Sequence, residues 1–412
     1  MINGAARGYR HVAVLGGGLQ GCCTAIELAK RGSQVTLYDR NNVLLAGAAT
    51  ANEGKIHLGY VYGSDPSLAT ARLLLRGARS FAPLVRSYLE TEHAISTSGP
   101  FLYAVHRNSQ LSVEHYGTYL NAVHDLIASA KDRECYFGAD FSAPVRQLTR
   151  SELEKQFDPD HIIAAFATPE IAIDVVALAS AMRRRISQEP AIEVRSGCSV
   201  TAVSADDRGF LVNCVDTASG VTDSARFSSV VNALWDGRLA IDATLGIRPL
   251  KQWIHRLRHG IRFRLDDPAS LPSVTLTLGP FGDLVAYNDG SYYVSWYPAC
   301  MTATSDALAP PDWPAYPDEP LRTRIVSQSF AAFGQIIPKL RNASPREVVV
   351  RAGVIVAWGS TDIDDRGSEL HRRSEIGVHS RGRYHSIDPG KLSMAPYFAA
   401  VCADRIMSKS ST

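Results

Sequence analysis

Gly16, Gly18 and Gly21 form a GxGxxG run between the apolar segment HVAVL, residues 11–15, and a stretch with helical periodicity. That spacing serves the binding of a pyrophosphate. The first glycine permits a tight turn, the second lets the backbone approach the phosphates, and the third lets the helix pack closely on the strand. Leu19 and Gln20 then contribute the first free amides of the helix, which favour anionic oxygens. Asp39, with Arg40 beside it, ends the next apolar segment QVTLYD, where a carboxylate can accept hydrogen bonds from ribose hydroxyls.

A second set of residues could carry redox chemistry on a small substrate. His57 is the candidate base, because an imidazole with an unperturbed pKa of ~6.5 is largely neutral at pH 7; Glu53 is the next candidate. The segment FGDLVAYNDGSYYVSWYP concentrates Tyr287, Tyr292, Tyr293, Trp296 and Tyr297. At the two-residue period of a strand, Tyr293, Ser295 and Tyr297 share one face and Tyr292, Val294 and Trp296 the other, so one set lines a pocket and the other is core. Tyr293 is the candidate for the pocket. A substrate carboxylate calls for an arginine fork. Arg256, Arg258, Arg262 and Arg264 alternate along one segment, and Arg351, just before AGVIVAWG, is the candidate chosen here. Arg183, Arg184 and Arg185 read as a solvated helix face. No metal site is expected: Asp362, Asp364 and Asp365 lack the glycine and glutamate of a calcium loop. The seven cysteines (Cys22, Cys23, Cys135, Cys198, Cys214, Cys300 and Cys402) show no CxxC spacing, which also argues against a disulfide framework.

Positioning these groups needs a βαβ unit over residues 11–40. In its helix Leu19, Cys22, Cys23, Ile26 and Ala29 make the buried stripe, and Gln20, Glu27 and Lys30 face water. Helices are expected at 67–89, interrupted by Gly77 and Pro83, at 113–132 and at 175–187; Ser151 with Glu154 reads as a capping box opening another. Residues 192–233 alternate as a meander followed by a return strand, 254–299 are strand-rich with a hairpin turn at 288–290, and 309–320 is a proline-rich linker. The polar stretch 359–377 reads as a loop at the site mouth. The expected class is α/β with an α+β second domain. A Rossmann-like dinucleotide domain is assembled from 1–92, 145–245 and 345–412, and a substrate domain with a mainly antiparallel sheet from 93–144 and 246–344. Across 412 residues the net charge is +2, too small a field to attract nucleic acid or an anionic membrane. MINGAARGYR leads into an apolar stretch too short for a signal peptide, and no segment reaches the ~18 apolar residues of a membrane span, so a cytoplasmic setting is expected.

The fingerprint alone serves NAD and FAD equally. One fingerprint, not continued by regular βα units and not joined by a second, favours a flavin that takes electrons directly from its substrate. An NAD-dependent dehydrogenase and a catalytically silent nucleotide-binding scaffold are the remoter readings. The stretch 49–78, with Asn52, Gly54, Ile56, His57, Gly59 and Tyr62 in an NxGxIHxGxxY core, resembles the D-amino-acid-oxidase-like flavoprotein superfamily and is locally similar to L-2-hydroxyglutarate dehydrogenases. SIDPGKLSMAP at 386–396 resembles the GGKLTT segment of FAD-dependent glycerol-3-phosphate dehydrogenases. VVNALWDGR at 230–238 and EIAIDVVAL at 170–178 resemble further segments of the superfamily. Asp39 stands where glutamate is commoner, Pro389 where GGKLTT has glycine, and Glu53 where the hydroxyglutarate enzymes have serine.

The resemblance implies FAD, noncovalently held rather than linked through His57 as some relatives link it through a histidine. Asn52, Gly54, Lys55 and His57 would lie at the ring, Ser199, Ala233 and Trp235 along the cofactor, and Gly390, Lys391 and Leu392 at the flavin pyrimidine. It implies hydride transfer from a CH–NH group of an amino acid or amine, the commonest chemistry in the superfamily, or from a CH–OH group of a hydroxy acid or polyol, which the local matches favour. The partners implied are a small-molecule substrate and an electron acceptor, oxygen or a quinone. No oligomeric interface is read from the sequence.

Overall fold

The computed structural model describes residues 11–89, 95–129, 136–138, 140–141, 143–266 and 270–408. MINGAARGYR and Cys135 lie outside them, as does the end of the helix expected to reach residue 132. The first sheet has six strands, in the spatial order Gly377–Arg381, Tyr384–Asp388, Ser229–Asn232, His11–Leu15, Gln34–Asp39 and Ile192–Ser196. All pairings are parallel except that of Gly377–Arg381 with Tyr384–Asp388. Residues Val12 to Leu15 have no exposed surface, as a parallel strand covered on both faces requires.

Helix Leu19–Lys30 crosses from the first strand to the second. Its expected polar face is mostly covered, because helices Ala69–Leu89, Val175–Ser187 and Ala395–Ser408 all pack on it. Gln20 is buried at the cleft, and Glu27, also buried, pairs with Arg31 at 2.6 Å; Lys30 alone of the three stays exposed. Cys22 and Cys23 are packing residues whose thiols burial pushes far above their ordinary pKa. Helix Ala69–Leu89 runs without a break through Gly77 and Pro83; a Cβ on Gly77 would meet the Met394 sulfur at 2.3 Å, so this glycine marks close packing and not a helix end.

The meander consists of Cys198–Asp206, Gly209–Asp216 and Thr222–Phe227. Ile192–Ser196, expected to open it, leaves through a turn at Gly197 (φ +70°) and extends the parallel sheet instead. The cap of helix Arg150–Gln156 is Thr149 with Glu152, two residues before the expected pair, because Glu154 is engaged by Arg150 at 2.7 Å.

The larger sheet has nine strands. Its spine, Trp253–Leu265, pairs antiparallel with Met301–Ser305, Tyr292–Trp296 and Pro345–Trp358. Gly282–Ala286, Ser273–Thr277, Phe101–His106, Ile162–Ala167 and Arg146–Gln147 continue it outward. The hairpin turn falls at Gly290 (φ +77°), whose N–H donates to the Tyr287 carbonyl. The strands Arg146–Gln147, Ile162–Ala167 and Pro345–Trp358 thus lie in the larger sheet. Among the described residues no helix is long and apolar enough to cross a membrane.

The third glycine of the fingerprint has the least room. A Cβ on Gly21 would lie 1.7 Å from the Gly16 carbonyl oxygen, so any side chain must push the helix off the strand. We expect Gly21→Val to lower Tm by at least ~4 °C in a thermal melt, the scale of a backbone-displacing overpacking change.

Candidate functional site

A cleft of about 440 Å³ runs from the fingerprint turn to the inner face of the larger sheet. At one end it is lined by Gly16, Gly18, Leu19, Gln20, Asp39, Arg40, Ser199, Ala233 and Trp235, all expected from the sequence. Gly16 takes φ +99°, while a Cβ on Gly18 would meet nothing within 4 Å, so this backbone is open to the cleft. The helix begins at Gly18 without a side-chain cap, leaving its first amides for an anion. Asp39 accepts from the Gly17 N–H at 2.8 Å and from the Asn41 N–H at 2.7 Å, and burial still raises its pKa. Arg40 is turned toward Asp236 at 3.0 Å. Trp235, at φ +57°, donates its indole N–H to the Val354 carbonyl at 2.7 Å and so ties this end to the larger sheet. An open glycine, an uncapped helix start and a buried carboxylate fit the ADP half of a dinucleotide.

At the other end Asn52, Glu53, Lys55, His57, Tyr293, Gly390, Lys391 and Leu392 line the cleft. Asn52 shapes the loop beside it, donating to the Ala48 carbonyl and accepting from the Gly54 N–H, both at 2.8 Å. Gly21 and Gly54 act behind the wall: a Cβ on Gly54, at φ +72°, would strike the Ile173 carbonyl at 2.0 Å. Arg351 does not line the cleft. Its guanidinium donates to the Ala46 carbonyl and lies over the Tyr316 ring, and two residues along the same strand face it is Gly353 that borders the cleft.

Of the alternating arginines on the spine, it is Arg258 that lines the cleft. Each of the four meets an acid: Arg256 meets Asp362 at 3.3 Å, Arg258 meets Asp283 at 3.1 Å, Arg262 meets Asp174 at 2.9 Å and Arg264 meets Glu347 at 3.4 Å. Gly260 occupies the middle of the run because the Tyr293 ring lies over it; a Cβ there would sit 2.3 Å from that ring. Tyr293 thus faces the cleft side, and Tyr292 stacks on Phe263 in the opposite core. The regular alternation broken by one glycine was the available signal for Arg258. Asp362 also accepts from the Tyr297 hydroxyl at 2.6 Å, and Arg373, from the same polar stretch, reaches the cleft.

Asp283 accepts from both Arg258 and Lys55, the latter at 2.8 Å, and Lys55 also donates to Thr275. Lys55 and Asp283 are buried and Arg258 is partly so; the two cations hold the Asp283 carboxyl well below its ordinary range despite desolvation. Of the arginine run on helix Val175–Ser187, only Arg184 is exposed. Arg183 donates to the Leu44 carbonyl at 2.8 Å, bracing the cleft loop, and Arg185 to the Tyr88 carbonyl at 3.0 Å.

His57 is 4% exposed and Glu170 wholly buried, with His57 Nδ1 3.7 Å from Glu170 Oε1. Glu170 also accepts from the Leu58 N–H at 2.6 Å and from the Tyr103 hydroxyl. Burial, with Lys391 and Lys55 nearby, keeps the imidazole far below its ordinary pKa and therefore neutral.

The family model for DAO, FAD-dependent oxidoreductase, matches residues 11–401. The tRNA 5-methylaminomethyl-2-thiouridine biosynthesis bifunctional protein MnmC of Ectopseudomonas mendocina (strain ymp) is 26% identical over 257 residues, which cover 61% of this chain and 34% of that protein; the chain thus spans about a third of that relative's length. Glycine oxidase from Geobacillus kaustophilus superposes with a TM-score of 0.69 at 15% identity, covering 97% of this chain and 95% of its own. L-α-glycerophosphate oxidase from Mycoplasma pneumoniae, solved with FAD bound, gives 0.64 at 16% identity over 97% and 95%.

The buried ion cluster yields a stability test. Lys55→Met leaves Asp283 with one cation in place of two, and urea denaturation is expected to show a loss of about 3 kcal/mol, the scale for stripping one partner from a buried pair.

Proposed function

The chain belongs to the DAO family of FAD-dependent oxidoreductases, and on that premise we propose that it removes a hydride from the CH–NH group of a small polar substrate, an amino acid or amine. FAD, when bound, supplies the hydride acceptor. The fingerprint end of the cleft, with Gly16, Gly18 and Asp39, would hold its ADP half. Asn52, Lys55 and the Gly390 turn would border its ring, and Lys391 would offset negative charge there.

The observation that carries the amine reading is Glu53 in the cleft wall, close enough to Tyr293, Arg258 and Lys55 to act on their charges. An amine reaches the cleft as an ammonium ion, for which a carboxylate is the counter-charge; an alcohol would offer Glu53 a neutral hydrogen bond without that charge. Arg258 on the same wall supplies the opposite charge for a substrate carboxylate. Tyr293, seated over Gly260, would fix the substrate's orientation. A specific observation also supports oxidation of CH–OH as a second reading: His57 is neutral and faces the cleft, as a base for a hydroxyl must. Turnover is completed by an electron acceptor, oxygen or a quinone.

The purified protein is expected to absorb near ~370 and ~450 nm and to release its colour on acid precipitation, as noncovalent flavin does. Under anaerobic conditions amino acids should bleach it and hydroxy acids should not; the reverse pattern would replace the first reading by the second. Glu53→Gln is expected to raise KM for the bleaching amine at least ~10-fold, the loss of one charge-assisted contact worth about 1.4 kcal/mol.

A further inference from the structure

The segment that carries His57 is clamped by buried tyrosines. Tyr136, Tyr119 and Tyr116 donate their hydroxyls to the carbonyls of Ile56, Gly59 and Tyr60, at 2.6, 2.9 and 2.9 Å. Behind that segment lies Glu170, with no exposed surface. His57 Nδ1 is sealed from solvent, has no hydrogen-bond partner, and faces Glu170 Oε1 across 3.7 Å. Because the ring also lines the cleft, it is Nε2 that is left to a substrate. We propose that His57 and Glu170 form a proton relay in which Glu170 receives, through the imidazole, the proton released by the substrate.

The inference rests on the oxidation proposed above, whichever of the two bonds is broken. With FAD bound as hydride acceptor, the substrate would give the proton on its nitrogen or oxygen to His57 Nε2 as its carbon loses the hydride, leaving a C=N or C=O bond. Nδ1 gives its own proton to Glu170 Oε1, which becomes the neutral acid. Reaching hydrogen-bond length from 3.7 Å takes a ring movement of roughly 0.7 Å, and such contacts commonly tighten when substrate closes the site.

Two features favour a relay over a purely structural carboxylate. First, burial, Lys391, Lys55 and Arg373 oppose an imidazolium against Asp283 and the facing Glu170 carboxylate, so His57 passes a proton on to Glu170. Second, an amide would serve the structural role equally well, since a glutamine oxygen could accept from the Leu58 N–H and its NH₂ could donate to the Tyr103 oxygen. A carboxylate here is costly, and what it adds is titration. Burial raises Glu170 to about 7, against the lowering influence of Lys55, the Tyr103 and Leu58 hydrogen bonds and Lys391, so the group takes up and returns protons at neutral pH. Tyr60, Tyr116, Tyr119 and Tyr136 also face it; their hydroxyls are held far above their ordinary range and stay neutral.

The test is anaerobic stopped-flow reduction of the FAD-loaded enzyme by the bleaching substrate between pH 5.5 and 9. The wild-type rate is expected to rise with pH through about 7. In Glu170→Gln it should fall at least ~10-fold and lose that inflection, with FAD content unchanged. Tyr103→Phe removes a hydrogen bond that favours the ionised form, so its inflection should move to higher pH; it stands in if the glutamine variant does not fold. A readout independent of turnover follows from the sign of the shift. The folded state holds the Glu170 proton more tightly than the unfolded chain, so this group's contribution to stability is present at low pH and lost as pH rises through about 7. The Tm of wild type relative to Glu170→Gln should therefore fall from pH 5.5 to about 7 and change little above that. Bleaching with the same pH profile in wild type and Glu170→Gln would overturn the relay alone; a flavin that neither amines nor hydroxy acids bleach would overturn the oxidation itself.

Discussion

A carboxylate deprived of water stays ionised only if charge is supplied to it, and Asp283 is supplied from two directions. Lys55 comes from the loop that follows the second strand of the parallel sheet; Arg258 comes from the spine of the larger sheet. The cluster therefore joins the segment that carries Lys55 to the larger sheet beside the cleft, whose wall Lys55 and Arg258 both line. Taking Lys55 and Asp283 out of water is expensive, and a well-packed apolar contact could have joined segment and sheet at lower cost. What the ionic version adds is direction. Arg258 is held by Asp283 and by the Ser295 hydroxyl at 3.0 Å, so its guanidinium is already ordered before any ligand arrives.

A second tie runs through Asp174, which caps helix Val175–Ser187 with its side chain and also receives Arg262. Trp235 makes a third with its bond to Val354. Each is a polar contact between a segment near the dinucleotide site and the larger sheet. The separation of the apolar clusters follows from packing: Tyr293, Tyr287 and Val285 belong to the cluster under the cleft, while Tyr292, Val294 and Leu284 belong to the one on the far face. Alternation along two short strands is enough to divide them.

Features encoded within a few residues of one another were legible in the sequence. The strand, glycine turn, helix and strand of residues 11–39, the hairpin at Gly290 and the helix Val175–Ser187 all formed as their local patterns required. Most of the residues placed at the cleft by motif or resemblance border it, because they lie in or beside the fingerprint turn, the loop after the second strand and the Gly390 turn, whose chemistry is local. What could not be read was contact between distant segments. Glu170 lay inside a segment matched for its family likeness, but nothing local says that it meets His57. Arg351 and Arg258 are both arginines on strands, and only the pairing of Arg258 with Gly353 decides which one faces the cleft. Gln20, Glu27, Arg183 and Arg185 looked solvated because a helical wheel has no knowledge of what packs against it.

The row of arginines on the spine has a consequence for how the chain finds its fold. Leu257, Ile261, Phe263 and Leu265 alternate with Arg256, Arg258, Arg262 and Arg264, and the strand is paired along both edges. A slip of one residue would exchange the faces, driving four guanidiniums into the apolar cluster and turning four large hydrocarbons toward carboxylates. Neighbouring registers of this long strand are therefore separated by a steep penalty. The same side chains that order the cleft in the finished molecule also discourage misaligned pairings while the sheet is being assembled.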